Sequence, residues 1–178
     1  MIAALVMALI LGNAQPESAD VVKVSRIAGP EKALRFEVTV PAPLDEVWDA
    51  FTTEAGLSAW LWRDVRVDPR PGGDWLALYP DGKTGGGTIL SVEPKRRLTL
   101  SAMAPEQFPT VRSERTRAVF EFESLSPSQT RVVLLQTGWK SGAEWDAAYD
   151  YLAQGNAILL RTLHRRFTAG PIDWSRLR

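Results

Sequence analysis

The chain of 178 residues has no cysteine and one histidine. The first absence removes disulfides, iron–sulfur clusters, thiolate zinc sites and cysteine nucleophiles. The second leaves too few imidazoles for a histidine-based metal cluster. Charge of one sign is also missing: Lys+Arg and Asp+Glu both number 21, for a formal net charge of zero. A nucleic-acid-binding surface carries a basic excess or a basic stripe, and this chain shows neither. No apolar run reaches the ~20 residues that a helix needs to cross a hydrocarbon core. Internal repeats and low-complexity segments are absent too. What is present, 45% hydrophobic and 24% charged residues, is the composition and size of one globular domain.

The N-terminal stretch carries its own signal. Ile2 to Leu11 is unbroken apolar sequence, followed by Gly12-Asn13-Ala14 and a polar segment from Gln15 to Asp20. Its length fits the h-region of a signal peptide, with cleavage after Ala14 or Ala19. Residues 1–19 are therefore expected to direct export, which makes the protein periplasmic or secreted and its membrane contact transient. The run has no Lys or Arg before it, so a short buried helix is the alternative, and the protein is then cytoplasmic.

Residues 20–32, with Gly29-Pro30, read as a linker or a short strand. In the next segment Leu34, Phe36, Val38 and Val40 alternate with Arg35, Glu37 and Thr39, the period-two pattern of a half-buried strand. Pro43 then introduces a helix over Leu44 to Thr52, with Asp45 and Glu46 at its positive end and Val47, Trp48 and Phe51 on its apolar face. A second short helix is expected over Glu54 to Trp60. Strands follow at Asp64 to Val67, Trp75 to Tyr79, Thr88 to Glu93, Leu98 to Ala102, Arg117 to Glu123 and Thr130 to Trp139. Pro80-Asp81-Gly82 and Ser126 to Gln129 read as turns, Gly85-Gly86-Gly87 as a hairpin turn, and Ala104 to Glu114 as a loop. From Ala143 to Phe167 the period changes: Trp145, Tyr149, Leu152, Leu159 and Leu163 mark a long amphipathic helix, closed by Gly170-Pro171. The fold class is α+β, a curved antiparallel sheet of about six or seven strands wrapped round a long C-terminal helix. Residues 33–170 form the domain and 171–178 a tail.

Five segments together resemble a known family. Val40-Pro-Ala-Pro-Leu-Asp-Glu-Val-Trp-Asp-Ala-Phe51, Leu57-Ser-Ala-Trp60, Arg70-Pro-Gly-Gly73, Gly87-Thr-Ile-Leu-Ser-Val-Glu-Pro-Lys-Arg-Arg-Leu98 and Thr137-Gly-Trp139 occur in the order seen in START-like (SRPBCC) domains. They are most similar to the branch related to the activator of the heat-shock protein 90 ATPase. The resemblance spans Ala33 to Phe167 and implies a helix-grip fold with an internal apolar cavity. Relatives carry a Gly-Trp pair in the last helix where this chain has Gly155-Asn156. A glycine on that inward stripe costs about 1 kcal/mol relative to alanine, which points to close backbone approach or to deliberate space.

Residues for chemistry are sparse. His164 lies among Arg161, Arg165 and Arg166, in the cationic last turns of the long helix, and Asp45, Glu46 and Asp49 sit at a helix start, where acids balance the dipole. Gly85-Gly86-Gly87 lacks the Lys-Ser/Thr of a P-loop. No catalytic residue, metal or cofactor is assigned. Seven tryptophans are the main remaining signal. Trp48, Phe51, Trp60, Trp75, Phe120, Phe122, Trp139, Tyr149, Leu152 and Asn156 are expected to wall a cavity for a small hydrophobic or aromatic ligand, bound without chemistry. Individually, each aromatic also fits plain core filling. Two alternatives stand beside ligand binding: a surface regulator of a chaperone ATPase, and a cyclase or dehydratase using the cavity. No nucleic acid is expected as a partner, and no protein partner is identified.

Overall fold

The computed structural model describes residues 21–176; the expected signal peptide, residues 1–19, lies outside them. Among the described residues eight strands form one antiparallel sheet, in the order 22–27, 33–40, 129–137, 116–126, 97–102, 84–93, 74–78 and 65–67 from edge to edge. The stretch read as linker or strand is β1 (Val22–Ile27), which pairs with β2 (Ala33–Val40) and adds an edge to the sheet. In β2 the alternation holds: Leu34, Phe36, Val38 and Val40 are buried while Thr39 is exposed.

After β2 the chain leaves the sheet for α1 (Leu44–Thr52) and α2 (Glu54–Ser58). Pro43 precedes the first turn of α1, and the helix turns Val47, Ala50 and Phe51 inward. Thr53 ends α1 and caps α2, its hydroxyl accepting the Gly56 N–H at 3.0 Å. The chain then runs through β3 (Val65–Val67), β4 (Asp74–Leu78), β5 (Thr84–Glu93) and β6 (Arg97–Ala102). A short helix α3 (Pro109–Glu114) leads into β7 (Thr116–Ser126) and β8 (Gln129–Thr137). The chain closes on α4 (Ala143–Ala169), which crosses the inner face of the sheet. This is the helix-grip architecture.

Two expectations need correction. The hairpin between β4 and β5 turns at Pro80–Lys83, with the Tyr79 N–H donating to the Lys83 carbonyl at 2.9 Å. Gly85-Gly86-Gly87 is therefore strand, opposite Ala77, Leu76 and Trp75. Gly86 has φ +105°, and a Cβ there would lie 2.1 Å from the Trp75 carbonyl oxygen. Glycine is needed for close strand approach rather than for a turn. The second correction is α3, inside the segment read as a loop. Its N-cap residue, Phe108, offers no capping oxygen. Glu144 of α4 does so instead, accepting from the Thr110 N–H at 2.7 Å, the Val111 N–H at 3.1 Å and the Thr110 hydroxyl at 2.8 Å. The cap comes from more than thirty residues away, leaving Pro109 at the first position as a local signal that a loop shares.

Candidate functional site

Between α4 and the inner face of β4–β8 lies a cavity of about 430 Å³. The packing shows why it exists. Strands β4, β6, β7 and β8 send alternate side chains inward, placing Leu100 opposite Ala118 and Ala118 opposite Gln136, beside the row Leu98, Phe120 and Leu134. Ala77, Ala102, Ala104 and Ala118 line the cavity with small side chains. From α4, Leu152, Gly155, Asn156 and Leu159 face the hollow at the i, i+3, i+4, i+7 spacing of one helical face. A Cβ built on Gly155 meets nothing within 4 Å, so space, not close packing, explains this glycine. Exposed Glu106 and Gln107 stand at the rim with Lys83, which pairs with Asp81 at 2.7 Å.

The ten residues singled out from sequence fall into three places. Trp75, Phe120, Leu152 and Asn156 line the cavity. Phe51, Trp60 and Phe122 form an aromatic cluster under α1 and α2, with ring centroids 5.0 Å apart for Phe51–Trp60 and 4.9 Å for Phe51–Phe122. Half-buried Trp48 closes that cluster edge-on against Phe122 at 5.2 Å. At the other end, Trp139 packs against Tyr149 at 5.0 Å and Trp145 at 6.5 Å, beneath the start of α4. Neither Trp139 nor Tyr149 lines the hollow.

The polar ends of these rings are committed to the fold. The indole N–H groups of Trp60, Trp75 and Trp139 donate to the carbonyls of Ala50, Phe51 and Gln136 at 2.8, 2.9 and 3.1 Å. The Tyr149 hydroxyl donates to the Ala33 carbonyl at 2.9 Å. None of these is free to orient a guest.

Asn156 apart, the polar groups that face the hollow come from residues outside the expected set. Asn156 donates to the Gln136 side-chain oxygen at 2.7 Å, and Gln136 donates to the Thr116 hydroxyl at 2.8 Å. Tyr79 and Tyr151 both line the cavity, and neither hydroxyl hydrogen-bonds to another described residue. Burial, reinforced by Tyr151, pushes the Tyr79 phenol above its ordinary value, so it stays a neutral donor. Tyr79 was legible as sharing a strand face with Trp75. Tyr151 lies beside Leu152 at the edge of the helix stripe, a weaker signal.

An antiparallel sheet gripping one long helix, with an apolar hollow between them, defines the START-like class. Residues 41–167 match the family described as Activator of Hsp90 ATPase homolog 1-like protein, and the chain belongs to that family. Among solved structures it is similar to the Aha1 dimer from Colwellia psychrerythraea, at 18% identity and TM-score 0.62, covering 78% of this chain and 97% of that one. A Mesorhizobium loti protein aligns at 18% identity and TM-score 0.65, over 79% of this chain and 99% of that one. CalU16 from Micromonospora echinospora aligns at 22% identity and TM-score 0.60, over 90% and 91%. At these identities the likeness establishes the fold. No curated protein matches the chain.

Proposed function

We propose that this protein binds a small apolar or aromatic molecule in the hollow beneath α4 and does not transform it. One observation carries the reading: a cavity of about 430 Å³ with a mainly apolar lining. That volume falls in the range of small-molecule sites, roughly 300–1,000 Å³. Trp75, Phe120, Leu152 and Asn156 are the residues from the original set that serve this role, joined by Leu100, Leu134 and Leu159. The other six shape the core around it. Driving force comes from apolar burial, at about 25 cal/mol per Å². Native mass spectrometry of the purified protein should show a co-purified lipid-like mass, or a hydrophobic library should raise Tm. An empty protein that no library member stabilises contradicts the reading.

A second reading is favoured by the family itself: regulation of a chaperone ATPase through the protein surface. It requires the chaperone's compartment, whereas the apolar run Ile2 to Leu11 supports export. N-terminal sequencing of the mature protein from cell fractions separates the two. A chain starting after Ala14 or Ala19 favours the exported binder, and an intact cytoplasmic chain that stimulates the ATPase favours the regulator.

A further inference from the structure

We infer, resting on the cavity-binding reading, that the ligand is an amphipathic acid: an apolar body under α4 and a carboxylate turned toward Tyr79, Tyr151 and Arg112. The observation is a pair of neighbouring arginines without acids, one of them bonded to the cavity wall. Arg112 donates to the Ala104 carbonyl at 2.7 Å and to the Thr84 carbonyl and hydroxyl at 3.1 and 3.2 Å. Thr84 and Ala104 both line the hollow, so the guanidinium sits one hydrogen bond behind the lining. Arg115, three residues on, ends α3 with φ +67°, a conformation that a non-glycine residue holds only under strain. Its Nη1 is buried and has no hydrogen-bond partner among the described residues.

Neither guanidinium has a carboxylate within ion-pair distance among the described residues, although fourteen ion pairs occur elsewhere on the surface. Burial and the charge of Arg112 lower the Arg115 pKa, consistent with two cations held close together without a counter-ion. Uncompensated charge at the edge of an apolar cavity is unfavourable, and an anionic guest relieves it. The phenols provide the direct contacts. Tyr79 and Tyr151 present O–H donors with no other described partner, and Tyr79 lies within the field of Arg112 and, more weakly, of Asp81, which Lys83 neutralises as an ion pair. Two donors in a positive field select an acceptor, and an ionised acceptor most strongly. An alkylammonium would meet the same field as repulsion. Glu106, the one acid in the lining, stands exposed at the rim, where the charge of Lys83 offsets it.

The test holds the apolar body constant and changes only the head group. Dodecanoate, dodecanol and dodecylamine, each below its micelle concentration at neutral pH, compete against the neutral fluorophore N-phenylnaphthylamine. Dodecanoate should bind about tenfold or more tighter than dodecanol, with dodecylamine weakest. Arg115→Met should cut the acid-over-alcohol ratio several-fold without lowering Tm, because the arginine side chain makes no hydrogen bond that the fold would lose. Tyr79→Phe should weaken dodecanoate about tenfold while leaving the fluorophore within about twofold. Dodecanol or dodecylamine binding as tightly as the acid overturns the head-group assignment while leaving the cavity reading intact. An unchanged acid-over-alcohol ratio in both variants overturns it as well. Failure of the fluorophore and of all three competitors overturns the cavity reading itself.

Discussion

Gly155 is where the hollow can be tested with a single side chain. A glycine inside a helix is less favourable than alanine by about 0.8–1.0 kcal/mol, because it forfeits more backbone entropy and covers less of the helix. It normally persists where a neighbour would collide with Cβ, yet here a Cβ meets nothing within 4 Å. Gly155→Ala should therefore recover the whole propensity difference and raise Tm by about 2–4 °C, the response expected of a domain this size. Gly155→Leu goes further, since burying a leucyl side chain is worth about 1.5–3 kcal/mol when it fills space that is otherwise empty. The sum is roughly 2–4 kcal/mol, or a rise of about 4–16 °C. The same leucine occupies the ligand's volume, so the fluorophore should no longer bind to a protein that has become more stable. Differential scanning calorimetry and a binding titration on the same preparations measure both effects. A lower Tm for Gly155→Leu, or unchanged binding, would refute the claim that α4 overhangs free space at this point.

Four further outcomes follow from individual contacts. Phe51→Ala, at the centre of the aromatic cluster with 0% exposure, should cost about 3–5 kcal/mol in chemical denaturation, the range for large-to-small core truncations. Tyr149→Phe removes the hydroxyl bond to Ala33 and should cost about 1 kcal/mol; ligand affinity should stay unchanged, since Tyr149 is outside the lining. Gly86→Ala combines φ +105° with a Cβ 2.1 Å from the Trp75 carbonyl and should lower stability by about 2 kcal/mol or more, read as a fall in the urea midpoint. Glu144 gives a pH effect: burial raises its pKa, but hydrogen bonds from Val111 and Thr110 outweigh this and leave it below its ordinary value of 4.5. A carboxyl lowered on folding contributes its stability above the unfolded value and loses it as pH falls through the folded one. Exchange of the Val111 amide should accelerate below about pH 4.5 in the wild type, and Glu144→Gln should flatten that dependence.

The elements with a local cause were the legible ones. Alternation over Leu34 to Val40, Pro43 before Leu44, and the change of period at Ala143 each report a structure that its own residues dictate. Helix α3 was not legible, because its cap is Glu144, remote in sequence and brought near only by α4. The glycine triplet was misread because a turn and a tight strand crossing demand the same residue, and only the Trp75 backbone distinguishes them. Aromatic count was a fair guide to the core and a coarse one to the site. Phe51, Trp60 and Trp139 are buried away from the hollow while Trp75 and Phe120 line it, so ring size alone does not separate core from site. The hollow is marked as well by small residues, Ala77, Ala102, Ala118 and Gly155, whose meeting round one space becomes evident only once the strands pair beneath α4.

Chemical-shift mapping of the ¹⁵N-labelled protein with N-phenylnaphthylamine tests occupancy of the hollow most directly. Saturable shifts should cluster on Trp75, Phe120, Gln136, Leu152, Gly155 and Leu159, with the outer-face residues Arg97, Glu121 and Arg131 unmoved. Shifts confined to the outer face, or none at saturating probe, would contradict a binding site beneath α4.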